Sequence, residues 1–110
     1  MLDLLASALI EIAQPKQRFP TCNAPVMLRE LQRADRPAGV EPTRIEQCAD
    51  RNGYALVRYR AIWQGQNTTR YATFVTRDGA WKWDGTSPYR DGILDSLPRY
   101  AADYLETQVR

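Results

Sequence analysis

The 110-residue chain contains no histidine. Histidine is the usual general base near neutral pH, the commonest metal ligand and the base in Ser-His and Cys-His nucleophile pairs. Its absence excludes those arrangements and leaves few residue types for acid–base catalysis. The sequence therefore predicts a protein that is not an enzyme and that needs no cofactor and no metal.

Cysteine is nearly absent, since Cys22 and Cys48 are the only two. Two thiols cannot form a four-thiolate zinc site, and these two are too far apart for a CxxC redox motif. They can form one disulfide that ties the N-terminal segment to the first predicted strand, which would indicate the periplasm or secretion. Two buried free thiols fit the cytosol equally well, so both alternatives stay open.

Lysine is also scarce. Only Lys16 and Lys82 are lysines among the 15 basic residues, and the remainder are arginines. Arginine offers planar, bidentate donors that suit carboxylates and phosphates, and it stacks on aromatic rings. A codon usage that favours arginine explains the same composition, and the formal net charge of +2 is too small to indicate nucleic acid by itself.

The chain lacks an apolar run long enough to span a bilayer, which takes about 20 residues. Its most apolar stretch, Met1–Ala13, also lacks the positive n-region of a signal peptide, which favours the cytoplasm. On a helix, this stretch has one narrow polar stripe that includes Asp3, Ser7 and Glu11. A helix this broadly apolar must be buried on more than one side. We expect it either in the core or in the contact of a homo-oligomer.

Length and composition fit one soluble domain over residues 1–110. Hydrophobic residues make up 44% and charged residues 25%, both ordinary for a globular protein. The pattern predicts a helical segment over 1–34, an antiparallel sheet over 43–84 and a closing helix over 96–109. The predicted fold class is α+β, with two N-terminal helices, a four-stranded antiparallel meander and a C-terminal helix.

The sheet is the strongest pattern in the sequence. Turn signals at Arg51–Gly53, Gly65–Gln66 and Asp78–Gly79 separate four short strands with alternating side chains. Because a strand has a side-chain period of two, one register sorts the sheet into two faces. The aromatic face comprises Ala55, Val57, Tyr59, Ala61, Trp63, Ala72, Phe74, Trp81 and Trp83. The arginine face comprises Arg58, Arg60, Thr69, Tyr71, Thr73 and Lys82.

The segment Thr43–Glu46 is ambiguous. It matches a Ser/Thr-x-x-Glu capping box, which would open a short helix. A strand is favoured because a hairpin turn follows and leads directly into the next strand. In that register Glu46 lies opposite Arg58 as a cross-strand ion pair, and Ile45 lies opposite Tyr59.

Helices are predicted before and after the sheet along the chain. Pro25–Arg33 forms a helix with Met27, Leu28 and Leu31 on one side, and Ala34–Pro42 is a linker or an extended edge. Ser96 is the predicted N-cap of the closing helix. The simplest packing places all helices on the aromatic face and leaves the arginine face in solvent.

The strands also carry a resemblance. The segments Tyr54–Gly65 and Tyr71–Trp83, the latter with Asp78-Gly-Ala-Trp-Lys at its turn, resemble the terminal strands of the cystatin-like superfamily that includes nuclear transport factor two. The resemblance implies a curved sheet wrapped on a helix, sometimes with a conical pocket. Members range from enzymes to secretion-machine components and binding modules. A helix after Ser96 departs from this pattern and can cover the place where a pocket would open.

Two sets of residues are candidate sites. Arg58, Arg60, Tyr71 and Lys82 place cations beside an aromatic ring, which suits a protein partner with an acidic surface. An ordinary solvated sheet face explains the same residues. Trp63, Trp81 and Trp83, with Tyr59 and Phe74, can line a ligand pocket, but alternating aromatics in strands are more often core.

The favoured function is therefore a small non-enzymatic accessory protein that acts by protein–protein contact, such as an inhibitor or an immunity-type protein. One alternative is a cystatin-like pocket domain that binds a small molecule or carries an enzymatic activity. Another is binding of single-stranded nucleic acid by stacking and phosphate contacts, which the small net charge disfavours.

Overall fold

A computed structural model of the chain describes residues 18–110. The helix predicted over residues 1–13 lies outside the described residues. Within them the chain is α+β, with an antiparallel sheet of four strands in the order β1-β2-β3-β4 and three α-helices. The elements are α1 Ala24–Asp35, β1 Val40–Arg51, β2 Tyr54–Trp63, β3 Gln66–Arg77, β4 Ala80–Ser87, α2 Arg90–Ile93 and α3 Arg99–Gln108.

Helix α1 confirms the predicted helix and extends it. Asn23 caps its N-terminus by accepting a 3.2 Å hydrogen bond from the Val26 N–H, and a proline occupies the first turn. Met27 and Leu31 are fully buried against the sheet. The segment predicted as a linker or extended edge, Ala34–Pro42, divides into the end of α1, a 3₁₀ turn and the start of β1.

Each hairpin turn is a pair of residues that ends in glycine. The turns are Asn52-Gly53, Gln64-Gly65 and Asp78-Gly79, and both residues of each have positive φ, between 47° and 85°. Two positive φ values define the turn whose twist matches the flanking strands, and glycine adopts the second at low cost.

The predicted turn at Gly65–Gln66 is therefore wrong by one position, because Gly65 takes the second place of its turn. Trp63 consequently pairs with Gln66, two residues from its predicted partner. A shift of two residues keeps every side chain on its predicted face. Arg51, predicted as part of the first turn, instead pairs with Tyr54 at the end of β1.

Strand β1 has two bulges. Its register shifts between Pro42 and Arg44 and again between Ile45 and Gln47. Ile45 lies opposite Tyr59 as predicted, whereas the second bulge places Gln47, not Glu46, opposite Arg58. A bulge leaves one residue outside the regular pairing and re-aims its side chain.

The helices cover both faces of the sheet, so the prediction of a wholly solvated arginine face is wrong. Helix α1 packs on the aromatic face with a core that includes Tyr59 and Phe74. Helices α2 and α3 pack on the other face, where Leu56 is fully buried in a cluster with Leu105 and Val109. Near the β1–β2 turn the arginine face is apolar, because Tyr54 and Val75 are cross-strand partners there and lie next to Leu56. The apolar side of α3 packs on this end of the face.

Ser96 is not the cap of the last helix. Helix α3 begins at Arg99 after Pro98, and no side chain caps it. The Ser96 hydroxyl instead donates a 2.8 Å hydrogen bond to Asp84, which ties the loop before α3 to β4. No helix among residues 18–110 has both the length and the apolar character needed to cross a bilayer.

The segment that precedes α1 is fixed to the sheet by a disulfide and by hydrogen bonds. A disulfide joins Cys22 to Cys48 of β1, with their Cα atoms 6.2 Å apart. The Cys22 N–H donates to the Asp50 carboxylate at 2.9 Å, and the Trp81 indole N–H donates to the Thr21 carbonyl at 2.8 Å. The start of α1 is therefore held near one end of β1 and β4.

Candidate functional site

The four residues predicted as a partner-binding site are only partly together. Arg58 and Arg60 project from β2 on the same face, and Tyr71 lies directly opposite Arg58 on β3. Lys82 lies opposite Val75, which itself faces Tyr54. Tyr54 is four residues from Arg58, or about 13 Å along the strand. Lys82 is therefore at the far end of the face and does not belong to the same group.

Tyr71 has a mainly structural role in this arrangement. Its hydroxyl donates a 2.6 Å hydrogen bond to the backbone oxygen of Arg110, and its ring packs on the cluster formed with α2 and α3. A ring used in this way offers little of its surface to a partner. Of the predicted group, Arg58 and Arg60 remain together as neighbouring, partly exposed cations.

Glu46 organises these cations. Its carboxylate accepts hydrogen bonds from Arg58 Nε at 3.2 Å and from Arg44 Nη2 at 3.3 Å, and it lies 3.5 Å from Arg60 Nε. We call these four residues the arginine cluster. Arg44 was not among the predicted site residues, and the contact between Glu46 and Arg58 forms as predicted although the bulge changes the pairing.

The bulge explains why the cluster can form. Arg44 and Arg60 are direct cross-strand partners, and like charges in that position destabilise a sheet. The bulge at Glu46 brings a carboxylate within reach of both. Partial burial alone would raise the pKa of the Glu46 carboxyl, but the hydrogen bonds from Arg44 and Arg58 and the charge of Arg60 outweigh it and hold the pKa below its usual value.

The cluster keeps an excess of positive charge. Three guanidinium groups share one carboxylate, and Arg44 is 68% exposed. Arg60 also receives support from Thr69, whose hydroxyl oxygen accepts a 3.0 Å hydrogen bond from Nη1. Each guanidinium has five N–H donors, and the hydrogen bonds within this group use only a few of them. A cleft of about 360 Å³ opens here, lined by Thr43, Arg44, Arg60 and Asn67.

Two of the three tryptophans predicted as core are partly exposed instead. Trp81 is buried, with its ring edge-on to Phe74 at 6.5 Å between centroids. Trp63 is 47% exposed and Trp83 is 40% exposed, so the prediction is wrong for both. Trp63 is the last residue of β2 and Trp83 lies on the edge strand β4, where fewer neighbours surround a side chain.

A buried acid on the aromatic face was missed. Asp35 is 5% exposed and accepts a 2.6 Å hydrogen bond from the Tyr59 hydroxyl. Asp35 continues the buried stripe of Met27 and Leu31 at intervals of four residues. That spacing was the signal in the sequence that could have indicated the burial of Asp35. Burial raises the pKa of the Asp35 carboxyl, although the hydrogen bond from Tyr59 and the charge of Arg70 act against the shift.

The chemistry of the arginine cluster is charge recognition. Guanidinium groups bind carboxylate or phosphate oxygens with paired hydrogen bonds. The one carboxylate of the cluster is held ionised by three cations, so it is a weak proton acceptor and a poor general base. Comparisons of the chain with protein-family models, with curated proteins and with solved structures find no match.

Proposed function

We propose that this chain is a non-enzymatic binding protein that contacts an acidic surface of a protein partner through Arg44, Arg58 and Arg60. The observation that supports this function is the arrangement of three guanidinium groups around the single carboxylate of Glu46. An inhibitor that covers a partner's site and an assembly component both fit this mode of action.

Preorganisation favours binding at this surface. Ordering a long side chain at an interface costs about 0.5–1.5 kcal/mol. Here Glu46 and Thr69 already hold Arg58 and Arg60 in place, so part of that cost is met during folding. The guanidinium donors that remain can then bind the carboxylates of a partner without large rearrangement.

A protein partner fits these residues better than single-stranded nucleic acid does. Nucleic-acid strands bind to grooves with successive exposed aromatic rings and a track of cations. The ring next to the cluster, Tyr71, packs on the C-terminal helices instead. A phosphate backbone is negative along its whole length and would also meet Glu41 and Glu46 on this face, whereas the carboxylates of a protein can lie opposite the arginines alone.

The cystatin-like alternative requires a cavity bordered by aromatic side chains and a buried acid. Asp35 supplies a buried acid, but its carboxylate is bonded to Tyr59 where α1 packs on the sheet. This pair is better explained as part of the core, and we therefore favour the binding function.

A titration with an acidic peptide tests the proposal. The probe is a ten-residue peptide that alternates glutamate and glycine, added to ¹⁵N-labelled protein at low ionic strength. We expect shifts at the arginine cluster and a loss of affinity as salt is added. The double variant Arg44→Gln/Arg60→Gln should bind about ten-fold more weakly, which corresponds to about 1.4 kcal/mol.

The matched control is Arg77→Gln/Arg99→Gln, which removes the same charge from two exposed arginines elsewhere. It should change the affinity much less. Equal weakening in both double variants would show a non-specific charge effect and would contradict the proposal. In a pull-down from the native host, a protein counts as a partner only if the control variant retains it and the cluster variant loses it.

A further inference from the structure

The end of the sheet at the β2–β3 turn exposes two large apolar side chains. Ile62 is 40% exposed and Trp63 is 47% exposed, and they directly precede the turn at Gln64-Gly65. They point to opposite faces because they are consecutive in a strand. Single exposed apolar residues are common on protein surfaces. Two together, on the two faces of one strand and next to an uncharged turn, make the end of this hairpin apolar, and we call them the apolar tip.

This apolar tip adjoins the arginine cluster. Ile62 follows Arg60 by two residues, so the two side chains share a face and are about 7 Å apart along the strand. Ile62 pairs with Asn67 on β3, and Asn67 lines the cleft together with Arg44 and Arg60. Ile62 is therefore continuous with the cationic surface, and Trp63 lies next to it at the same end of the sheet, on the other face.

We propose that Trp63 and Ile62 are the apolar anchor of the interface that the arginine cluster forms, and that the partner presents an apolar pocket rimmed by carboxylates. This inference rests on the proposed function and names the partner's surface chemistry. Tryptophan and arginine are the residues most enriched among those that dominate interface energies, and such residues act where an apolar group fills a pocket. The arginine cluster then orients the partner and speeds the encounter, and the apolar tip contributes most of the affinity.

A protein pocket fits this end of the molecule better than an anionic lipid surface. Glu41 lies directly opposite Ile62, and its carboxylate, paired with Arg36 at 2.8 Å, is half exposed. A headgroup layer is negative over its whole surface and would meet that carboxylate as the tip entered, whereas the carboxylates of a protein pocket can lie opposite the arginines alone. Attachment to membranes usually uses a longer series of cations than Arg44 and Arg60 provide.

The proposal predicts a specific ranking of three six-residue peptides in NMR titrations. The first has a leucine–phenylalanine centre flanked by two glutamates on each side. The second replaces the centre with two glycines, and the third replaces the glutamates with glutamines. We expect the first to bind at least ten-fold more tightly than either of the others, with a shift of the Trp63 indole N–H signal.

Variants separate the anchor from the charge. Trp63→Ala should lower the affinity for the first peptide to the level of the second peptide. It should not change the affinity for the second peptide. Ile62→Thr, which keeps a β-branched residue in the strand, should cause a smaller loss and serves if Trp63→Ala fails to fold. The control Trp83→Ala removes a tryptophan of similar exposure at a distance from the cluster and should have no effect.

Each result decides between the two proposals. Equal affinity for the first two peptides, or no effect of Trp63→Ala, overturns the anchor while the proposed function stands. If Arg44→Gln/Arg60→Gln does not weaken the binding of either acidic peptide, or if no peptide binds at all, both proposals are overturned. Trp63-dependent sedimentation with phosphatidylglycerol vesicles, without discrimination among the peptides, assigns the tip to lipid instead.

Discussion

The Tyr59 hydroxyl donates a 2.6 Å hydrogen bond to Oδ2 of Asp35, and this contact joins the last residue of α1 to the centre of the sheet. The position is unfavourable for a negative charge. The C-terminal end of a helix carries partial negative charge, and the carboxylate is also removed from water. The hydrogen bond from Tyr59 compensates for part of this cost.

The first prediction concerns the pH dependence of Asp35. Its folded-state pKa is raised by burial above the unfolded value of 3.8. Stability from this group is therefore fully present below the unfolded pKa and is lost as pH rises through the folded pKa. Asp35→Asn should remove that loss, so its melting temperature relative to the wild type should increase with pH over this window and stay constant above it. Thermal melts of both proteins from pH 3 upward test this. A difference in melting temperature that does not change with pH would contradict it.

The second prediction concerns the other partner. Tyr59→Phe leaves the buried Asp35 carboxyl without its donor, which should cost about 1–3 kcal/mol of the free energy of unfolding. Tyr100→Phe removes a hydroxyl from a half-exposed ring and should change stability by less than about 0.5 kcal/mol. Urea denaturation of the two variants provides the comparison. Equal effects would show that the hydrogen bond adds nothing to stability.

The third prediction concerns Glu46 in the arginine cluster. Its pKa is lowered from 4.5, so its contribution to stability is present above the unfolded value and is lost as pH falls through the folded value. Glu46→Gln should destabilise the protein by about 1 kcal/mol at neutral pH, since three arginines lose their shared anion. The difference from the wild type should disappear in acid. Asp103→Asn, at an exposed pair, is the control.

The fourth prediction concerns the disulfide between Cys22 and Cys48. The cross-linked residues are 26 apart in sequence, and in the chain-entropy model a loop of this size stabilises the fold by about 3 kcal/mol. Reduction, or the variant Cys22→Ser/Cys48→Ser, should lower the urea midpoint by the corresponding amount. Thiol labelling of the unreduced, denatured protein should detect no free thiol. Two labelled thiols before reduction would contradict the bond.

The alternation of residues in the sequence was sufficient to predict which side chains lie on each face of the sheet. The alternation along β2 and β3 places Tyr59 and Phe74 on one face and Arg58 on the other, as the structure shows. The same reasoning found α1 from the spacing of Met27 and Leu31. These features depend on local geometry, which a single sequence encodes directly.

Periodicity could not show how far the helices extend over each face. It assigned Trp63 to the aromatic face correctly, but exposure depends on whether a helix reaches the end of β2. It also could not place the bulge at Glu46, because a bulge changes the pairing without a marked change in residue type. For that reason Arg44 was missed, although the ion pair between Glu46 and Arg58 was foreseen.

The two bulges of β1 have a further consequence for the behaviour of the protein in solution. In the described sheet β1 is an edge strand, and a regular edge offers unpaired N–H and C=O groups to any second chain. The register shifts near Thr43 and Glu46 interrupt the even spacing of those groups. The backbone irregularity that brings Glu46 to its arginines therefore also makes this edge a poor template for strand-to-strand aggregation.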